Sequence, residues 1–231
     1  MKGVQRFMKA LYYTKIDHIR AKQLLLLFPI GLALMIAIML FEDIDGWNVT
    51  TLFIYELFFA TVFCTAPFGT CRREDAGFLM LLPATTRDRV VGRFLYGISL
   101  LLFAAAFGGI AMIGNMVLGY RYSPIELAIC LIGFSVGILI VTVEYVFLYL
   151  FGENQGPQVI NFVRVIPGMC YFFVGLNLAD RLTAHPEQAA DAIVFMINHL
   201  ETIAIIGIVA ALVLLVAAIA LCVKVTEKKD Y

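Results

Sequence analysis

Read from its first residue, the chain alternates long apolar blocks with short charged connectors. Leu24–Phe41, Phe94–Gly119 and Thr202–Val223 carry no charge at all, and Val49–Thr70 and Leu127–Phe151 carry one acid each. Val159–Ala179 becomes charge-free only after Arg164. About 20 helical residues cross a hydrocarbon core of about 30 Å, so blocks of this length read as spans. The pattern predicts an all-α integral membrane protein with six transmembrane helices, at 24–41, 49–70, 94–119, 127–151, 159–179 and 202–223. Ahead of the first span, Val4, Phe7, Met8, Leu11, Tyr12, Ile16 and Ile19 recur with a helical period, while Arg6, Lys9, Lys15, Asp17 and Arg20 fall mainly elsewhere. That is the pattern of an amphipathic helix over 4–20, lying in the inner interface with its basic side towards anionic headgroups.

Two connectors are more than hairpins. The 71–93 segment opens on the acidic pair Glu74 and Asp75 and runs into the apolar group Phe78–Leu82. Pro83 then stops any helix, and Thr85 or Thr86 is placed to cap a new one whose first turn holds Asp88. An apolar group on a water-facing loop must be covered, by the membrane or by a docking partner. On the other side, Pro186 is placed to start a short helix in the 180–201 segment, carrying Ala190, Val194, Ile197 and Leu200 on an apolar side. His185, Glu187, Asp191 and His199 share that segment, yet their spacing matches no zinc or calcium pattern, so no metal site is expected.

Composition agrees with lipid as part of the solvent. Of 231 residues, 62% are hydrophobic and 15% charged, against about 45–50% and about 25% in soluble domains. This excludes an ordinary water-soluble enzyme, a disordered chain and a disulfide scaffold. The formal net charge is zero, from 17 bases and 17 acids, and its distribution carries the information. With the N-terminus inside, the flanks on that side collect 15 of the 17 bases and seven acids, whereas the other side keeps Arg121 and Arg181 against eight acids. The positive-inside rule therefore places both termini in the cytoplasm. About 23 residues precede the first span and no small-x-small site follows it, which argues against a cleaved signal peptide. The five cysteines form no C-x-x-C and read as buried small apolar residues.

Motifs remove several enzyme classes. Gly133-Phe134-Ser135-Val136-Gly137 fits the G-x-S-x-G of hydrolases, but that motif needs a strand-to-helix elbow and a nearby base. Here it lies inside an apolar run, where Gly133 and Gly137 read instead as a G-x-x-x-G packing face. No G-x-x-x-x-G-K-[ST] and no H-E-x-x-H occur, so the chain has neither a P-loop nor the simplest metalloprotease helix. No catalytic residue is expected.

Ionisable groups inside spans cost a few kcal/mol on insertion scales and mark candidate sites. Glu144 and Arg164 lie at about the same depth, roughly 8–10 Å from the inner ends of their spans, which suggests an interhelical ion pair. Glu56 is near the outer end of its span with no base at its depth, and Asn115 and Asn177 are placed to share hydrogen bonds with it. A polar lining for a substrate path and a buried structural knot are both compatible with that placement.

The arrangement resembles the permease subunits of type-2 ABC exporters, most closely a small bacterial branch that includes the phenol-soluble modulin exporters. The residues that carry the likeness are Glu74-Asp75, Leu82-Pro83, Thr86-Arg87, Val90-Val91 and Arg93. The resemblance implies that the loop between spans two and three holds a coupling helix that docks on a cytoplasmic ABC ATPase, with Glu74, Asp75, Leu82, Pro83, Arg87 and Arg93 as the positions that carry over. Phe78 joins them as part of the apolar handle. It also implies a complex of two ATPases and two permeases in a bacterial cell membrane. ATP and magnesium would sit on the ATPase, with no cofactor on this chain and no nucleic acid among its partners. A sparsely polar interior suits amphipathic peptides, lipids or hydrophobic drugs, and the likeness leans towards peptide export. Two rivals stand beside it: a non-transporting immunity or sensor-anchor subunit, and an intramembrane enzyme, for which Glu56, Glu144 and Arg164 are a meagre set.

Overall fold

The computed structural model describes residues 2–20, 29–30, 33, 46–65, 68, 85–151, 160 and 186–229. Among these residues there are five helices and no strand: α1 (Lys2–Arg20), α2 (Gly46–Cys64), α3 (Thr86–Val117), α4 (Pro124–Phe151) and α5 (Pro186–Lys229). Three stretches are long and apolar enough to cross a membrane, Thr86–Val117, Pro124–Phe151 and Ile197–Lys228, and Val49–Cys64 is a shorter apolar helix. Of the six expected spans, these four segments are described. The expected spans at 24–41 and 159–179 lie outside the described residues, apart from single positions.

Helix α3 is the centre, packing on α1, α2 and α5 along its length and on α4 through glycine. A side chain at Gly97 would collide with Val141 and the Tyr145 hydroxyl of α4, at 2.8 and 2.9 Å. At Gly108 it would strike the Phe53 ring of α2 at 2.5 Å. Lipid offers no hydrophobic drive between helices, so close backbone approach at small residues supplies the packing energy instead. Gly133 and Gly137 act on α4 in the same way, facing Ile54 of α2 and Leu101 of α3.

Two helices run longer than their apolar blocks. The 32 residues of α3 extend about 48 Å at 1.5 Å per residue, well beyond a hydrocarbon core of about 30 Å. Its helix begins eight residues before Phe94, because Thr85 and Asp88 form a reciprocal capping box: the Asp88 amide donates to Thr85 Oγ1 (3.3 Å) and the Thr85 amide to Asp88 Oδ2 (3.1 Å). Helix α5 starts at Pro186 but does not stop as a separate surface helix; it continues unbroken to Lys229. No proline or glycine interrupts it before Gly207, and nothing local would end it. Its inward stripe is Ala204, Ala211, Leu215, Ala218 and Cys222, and most other positions face outward.

At the opposite end of α3, Gly119 at φ 101° lets the chain turn. A second capping box starts α4. The Ser123 amide donates to Glu126 Oε2 (2.7 Å), the Glu126 amide to Ser123 Oγ (3.3 Å), and the Tyr120 hydroxyl to Glu126 Oε1 (2.9 Å). Glu126 is thereby buried as a cap rather than standing as a loop charge.

Candidate functional site at the α1 end of the bundle

Five of the residues assigned to partner docking, Glu74, Asp75, Phe78, Leu82 and Pro83, lie outside the described residues. The other two, Arg87 and Arg93, belong to the first two turns of α3 rather than to a loop, since the Thr85 cap has already started the helix. Arg87 is exposed, and the Arg93 guanidinium sits 4.3 Å from the centre of the Phe68 ring. The last part of the expected connector is thus rigid helix, fixed to its neighbours on three sides.

The first fixture is α1. Its buried side is Ala10, Tyr13, Thr14 and Asp17, a set that mixes apolar and polar groups. A Cβ added at Gly92 would lie 2.7 Å from Tyr13 Cβ and 2.8 Å from the Ala10 carbonyl oxygen, so the two backbones nearly touch. Thr14 Oγ1 donates to the Gly92 carbonyl (2.9 Å), sharing its proton with that of Ala10 (3.1 Å). Further along, His18 meets Tyr96, Ser99 and Phe103. The contacts advance together along both helices, so α1 runs beside α3 over several turns. A helix lying flat across the membrane plane would touch an upright span at a single turn.

Ser99 Oγ donates to the Tyr96 carbonyl (2.7 Å), so His18 Nε2 carries the proton it shares with Ser99 Oγ, also at 2.7 Å. His18 Nδ1 is then a buried acceptor with no hydrogen-bond partner among the described residues. Burial pushes the His18 pKa below its ordinary value, because the imidazolium would need a second acceptor there. Burial likewise raises the Tyr13 hydroxyl, opposed by Arg89 and assisted by Asp88. The sign follows by linkage: a depressed histidine pKa makes docking of α1 strongest above about pH 6.5 and weakens it as pH falls towards the lowered value. Amide hydrogen exchange in α1 is expected to quicken between pH 7.5 and 5.5, after correction for intrinsic rates. His18→Gln is expected to remove that dependence, and an unchanged profile in the variant would refute the assignment.

The second fixture lies where α2 ends. The Tyr145 hydroxyl of α4 donates to the Cys64 carbonyl (2.7 Å), satisfying one of the carbonyls that a helix C-terminus leaves open. The Cys64 thiol points to the Gly97 carbonyl (3.5 Å). Phe68, just beyond, presents its ring edge-on to Tyr145 and Tyr149 with centroids 5.1 and 5.6 Å apart, and Phe94 meets Tyr145 at 5.0 Å. The end of α2 and the start of α3 are thus held to one aromatic cluster on α4. Phe68, Gly92, Gly97, Tyr145 and Tyr149 escaped the sequence reading; the spacing of Tyr145 and Tyr149, one helical turn apart in an apolar run, was the available signal.

The remaining candidates are scattered. Glu144 is fully buried, and its expected partner Arg164 lies outside the described residues. Glu56 is buried on α2. Asn115 donates to the Tyr122 hydroxyl (3.2 Å) at the far turn, no hydrogen bond joins it to Glu56 among the described residues, and Asn177 lies outside them. Ser135 is mid-helix and bonds the Leu131 carbonyl (2.8 Å), so the hydrolase-like motif has no elbow to sit on. Among the described residues no three His, Cys, Asp or Glu gather where a metal would fit, and the His199 ring lies tilted against Phe195 with centroids 4.3 Å apart.

A family profile described as ABC-2 family transporter protein fits residues 14–227. No curated protein and no solved structure matches significantly.

Proposed function

The chain belongs to the ABC-2 family of transporter proteins, and from that premise we propose that it is the membrane permease subunit of an ABC exporter, driven by ATP hydrolysis on a separate subunit. The family match over nearly the whole chain carries this reading. The absence of a P-loop anywhere in the sequence suits the same division of labour. ATP and magnesium belong to the ATPase, and two copies of it work with two permeases. The direction is outward across a bacterial cell membrane, with both termini cytoplasmic, a placement that the distribution of bases supports. Amphipathic peptides or other hydrophobic compounds fit the sparsely polar interior.

In this reading the segment between α2 and α3, with Glu74, Asp75, Phe78, Leu82 and Pro83, is the handle that the ATPase grips. Support comes from the ground on either side of it. Cys64 and Phe68 before it, and Thr85 to Arg93 after it, are fixed to α4 and α1, so a displacement of the handle would move four helices together. Closure of the ATPase pair then becomes rigid-body rocking of one permease against the other.

Capture of the tagged full chain in mild detergent tests the proposal. A nucleotide-binding subunit is expected to co-purify in equal amount, and Leu82→Ala with Pro83→Ala is expected to reduce its recovery severalfold while the permease still inserts. A chain that is recovered alone from its own cell under these conditions would overturn the reading.

A further inference from the structure

We propose that Glu56 binds the protonated amine of an amphipathic cation, and that it thereby selects positively charged compounds among those the chain transports. The second half rests on the exporter reading; the binding itself does not. Glu56 is 5% exposed on α2 and falls on the helical wheel with Val49, Phe53 and Ala60, all buried. It is turned into the protein rather than towards lipid. The Cys64 thiol reaches the Gly97 carbonyl, and Phe53 stands where a Gly108 side chain would be, so α2 and α3 run antiparallel and Glu56 lies level with Ala105. From Leu100 to Gly114, α3 carries no polar side chain. By the same register Asn115, the amide placed to share hydrogen bonds with Glu56, is about 15 Å further along the axis, and it donates to the Tyr122 hydroxyl instead. On α4 the hydroxyls of Ser135 and Thr142 donate to carbonyls of their own helix. Among the described residues no hydrogen bond or ion pair reaches the Glu56 carboxyl.

A buried carboxylate without a partner is costly, and the chain has no cation of its own to offer at that depth. Arg164 is the one base inside an expected span, and it lies near the inner end of that span whereas Glu56 lies near the outer end of its own. The counter-charge therefore arrives from outside the chain. A metal ion needs several oxygen ligands, and the described side chains around Glu56 supply none. An ammonium group on an alkyl stem needs one strong acceptor for its charge and apolar contact for the rest. A single carboxylate among Leu52, Phe53, Phe59 and Ala60, its neighbours one turn away on α2, provides that combination. Discrimination follows from the same chemistry: a neutral or anionic amphiphile of equal length makes the apolar contacts but leaves the carboxylate uncompensated.

The test uses the full chain in nonionic detergent, without an ATPase, and radiolabelled dodecylamine as the probe, with binding to protein-free micelles subtracted. One saturable site per chain is expected at neutral pH, weakened but retained in Glu56→Asp and lost in Glu56→Gln, while dodecanol at the same micelle loading shows none. The parent chain gives a second reading should either variant insert poorly. Dicyclohexylcarbodiimide, which attaches to carboxyl groups in apolar surroundings, is expected to label Glu56, and dodecylamine is expected to slow that labelling severalfold, with dodecanol and dodecyl sulfate inactive. Absence of saturable binding, binding that survives Glu56→Gln, equal binding of dodecanol, or labelling of Glu56 that dodecylamine leaves unchanged would each overturn the proposal. A chain that binds the amine at Glu56 yet is recovered from its own cell without a nucleotide-binding subunit would overturn the exporter reading and leave the site standing.

Discussion

Gly92→Val is expected to release α1 from α3. The new side chain has nowhere to go: already the first carbon would lie 2.7 Å from Tyr13 Cβ and 2.8 Å from the Ala10 carbonyl oxygen, and the second of these is helical backbone that no rotamer change removes. Overpacking at a tight site costs about 1–3 kcal/mol and occasionally more. Here relief requires the helices to part, which also breaks the bond from Thr14 to the Gly92 carbonyl and opens the His18 contacts beyond it. The expected result is a lower melting temperature in detergent and fast amide exchange through residues 8–19, with Gly92→Ala intermediate. The same helix supplies its own control. Gly109 and Gly114 have no neighbour within 4 Å of an added Cβ, so alanine at either is expected to be neutral or slightly stabilising, as it removes glycine's excess chain entropy within a helix. If Gly92→Val leaves exchange in α1 unchanged, the clamp does not exist as described.

This contrast also marks how far a sequence reading reaches. Span number and the cap at Thr85 are questions of local pattern: length of an apolar run, a threonine three residues before an aspartate, a proline just upstream. Such features are written in neighbouring residues, and the start of α3 could be placed from them to within one residue, Thr85 or Thr86, with Thr85 the cap in the structure. Gly92, Gly97 and Gly108 look like any other glycine in an apolar protein, because their role is set by a residue on another helix tens of positions away. The side that α1 turns inward illustrates the same limit. Its apolar period places one face towards lipid but leaves open which residues meet the protein; Ala10, Tyr13, Thr14 and Asp17 do so, with the close contact made at Gly92 of α3. The docking positions were a matter of likeness to a family, and only Arg87 and Arg93 among them fall where their surroundings are described. For α5, Pro186 and the apolar side of Ala190, Val194, Ile197 and Leu200 predict the start of a helix correctly, but nothing in the backbone preference before Glu201 ends it, so it runs on into the span.

Tyr145→Ala is expected to be the more damaging of two changes at α4, with Tyr145→Phe as its measure. The phenol ring is fully enclosed, touching Phe68 and Phe94 edge-on, and its hydroxyl closes the Cys64 carbonyl. Removing only that hydroxyl leaves a buried carbonyl short of a partner, a loss of about 1–3 kcal/mol. Removing the ring adds a cavity, and aromatic truncations of this kind cost about 3–5 kcal/mol. Tyr145 also bounds the close approach at Gly97, so collapse of the α3–α4 seam would recover only part of that. The two variants separate what each group does. Tyr145→Phe keeps the aromatic cluster and is expected to fray the end of α2, read as faster exchange at residues 60–65 with little change elsewhere. Tyr145→Ala is expected to loosen Phe68 as well and to lower the melting temperature of the whole bundle. If both variants exchange alike at the end of α2 and melt alike, the hydroxyl contributes nothing beyond the ring. If neither differs from the parent, the junction that holds the end of α2 to α4 is not where this structure places it.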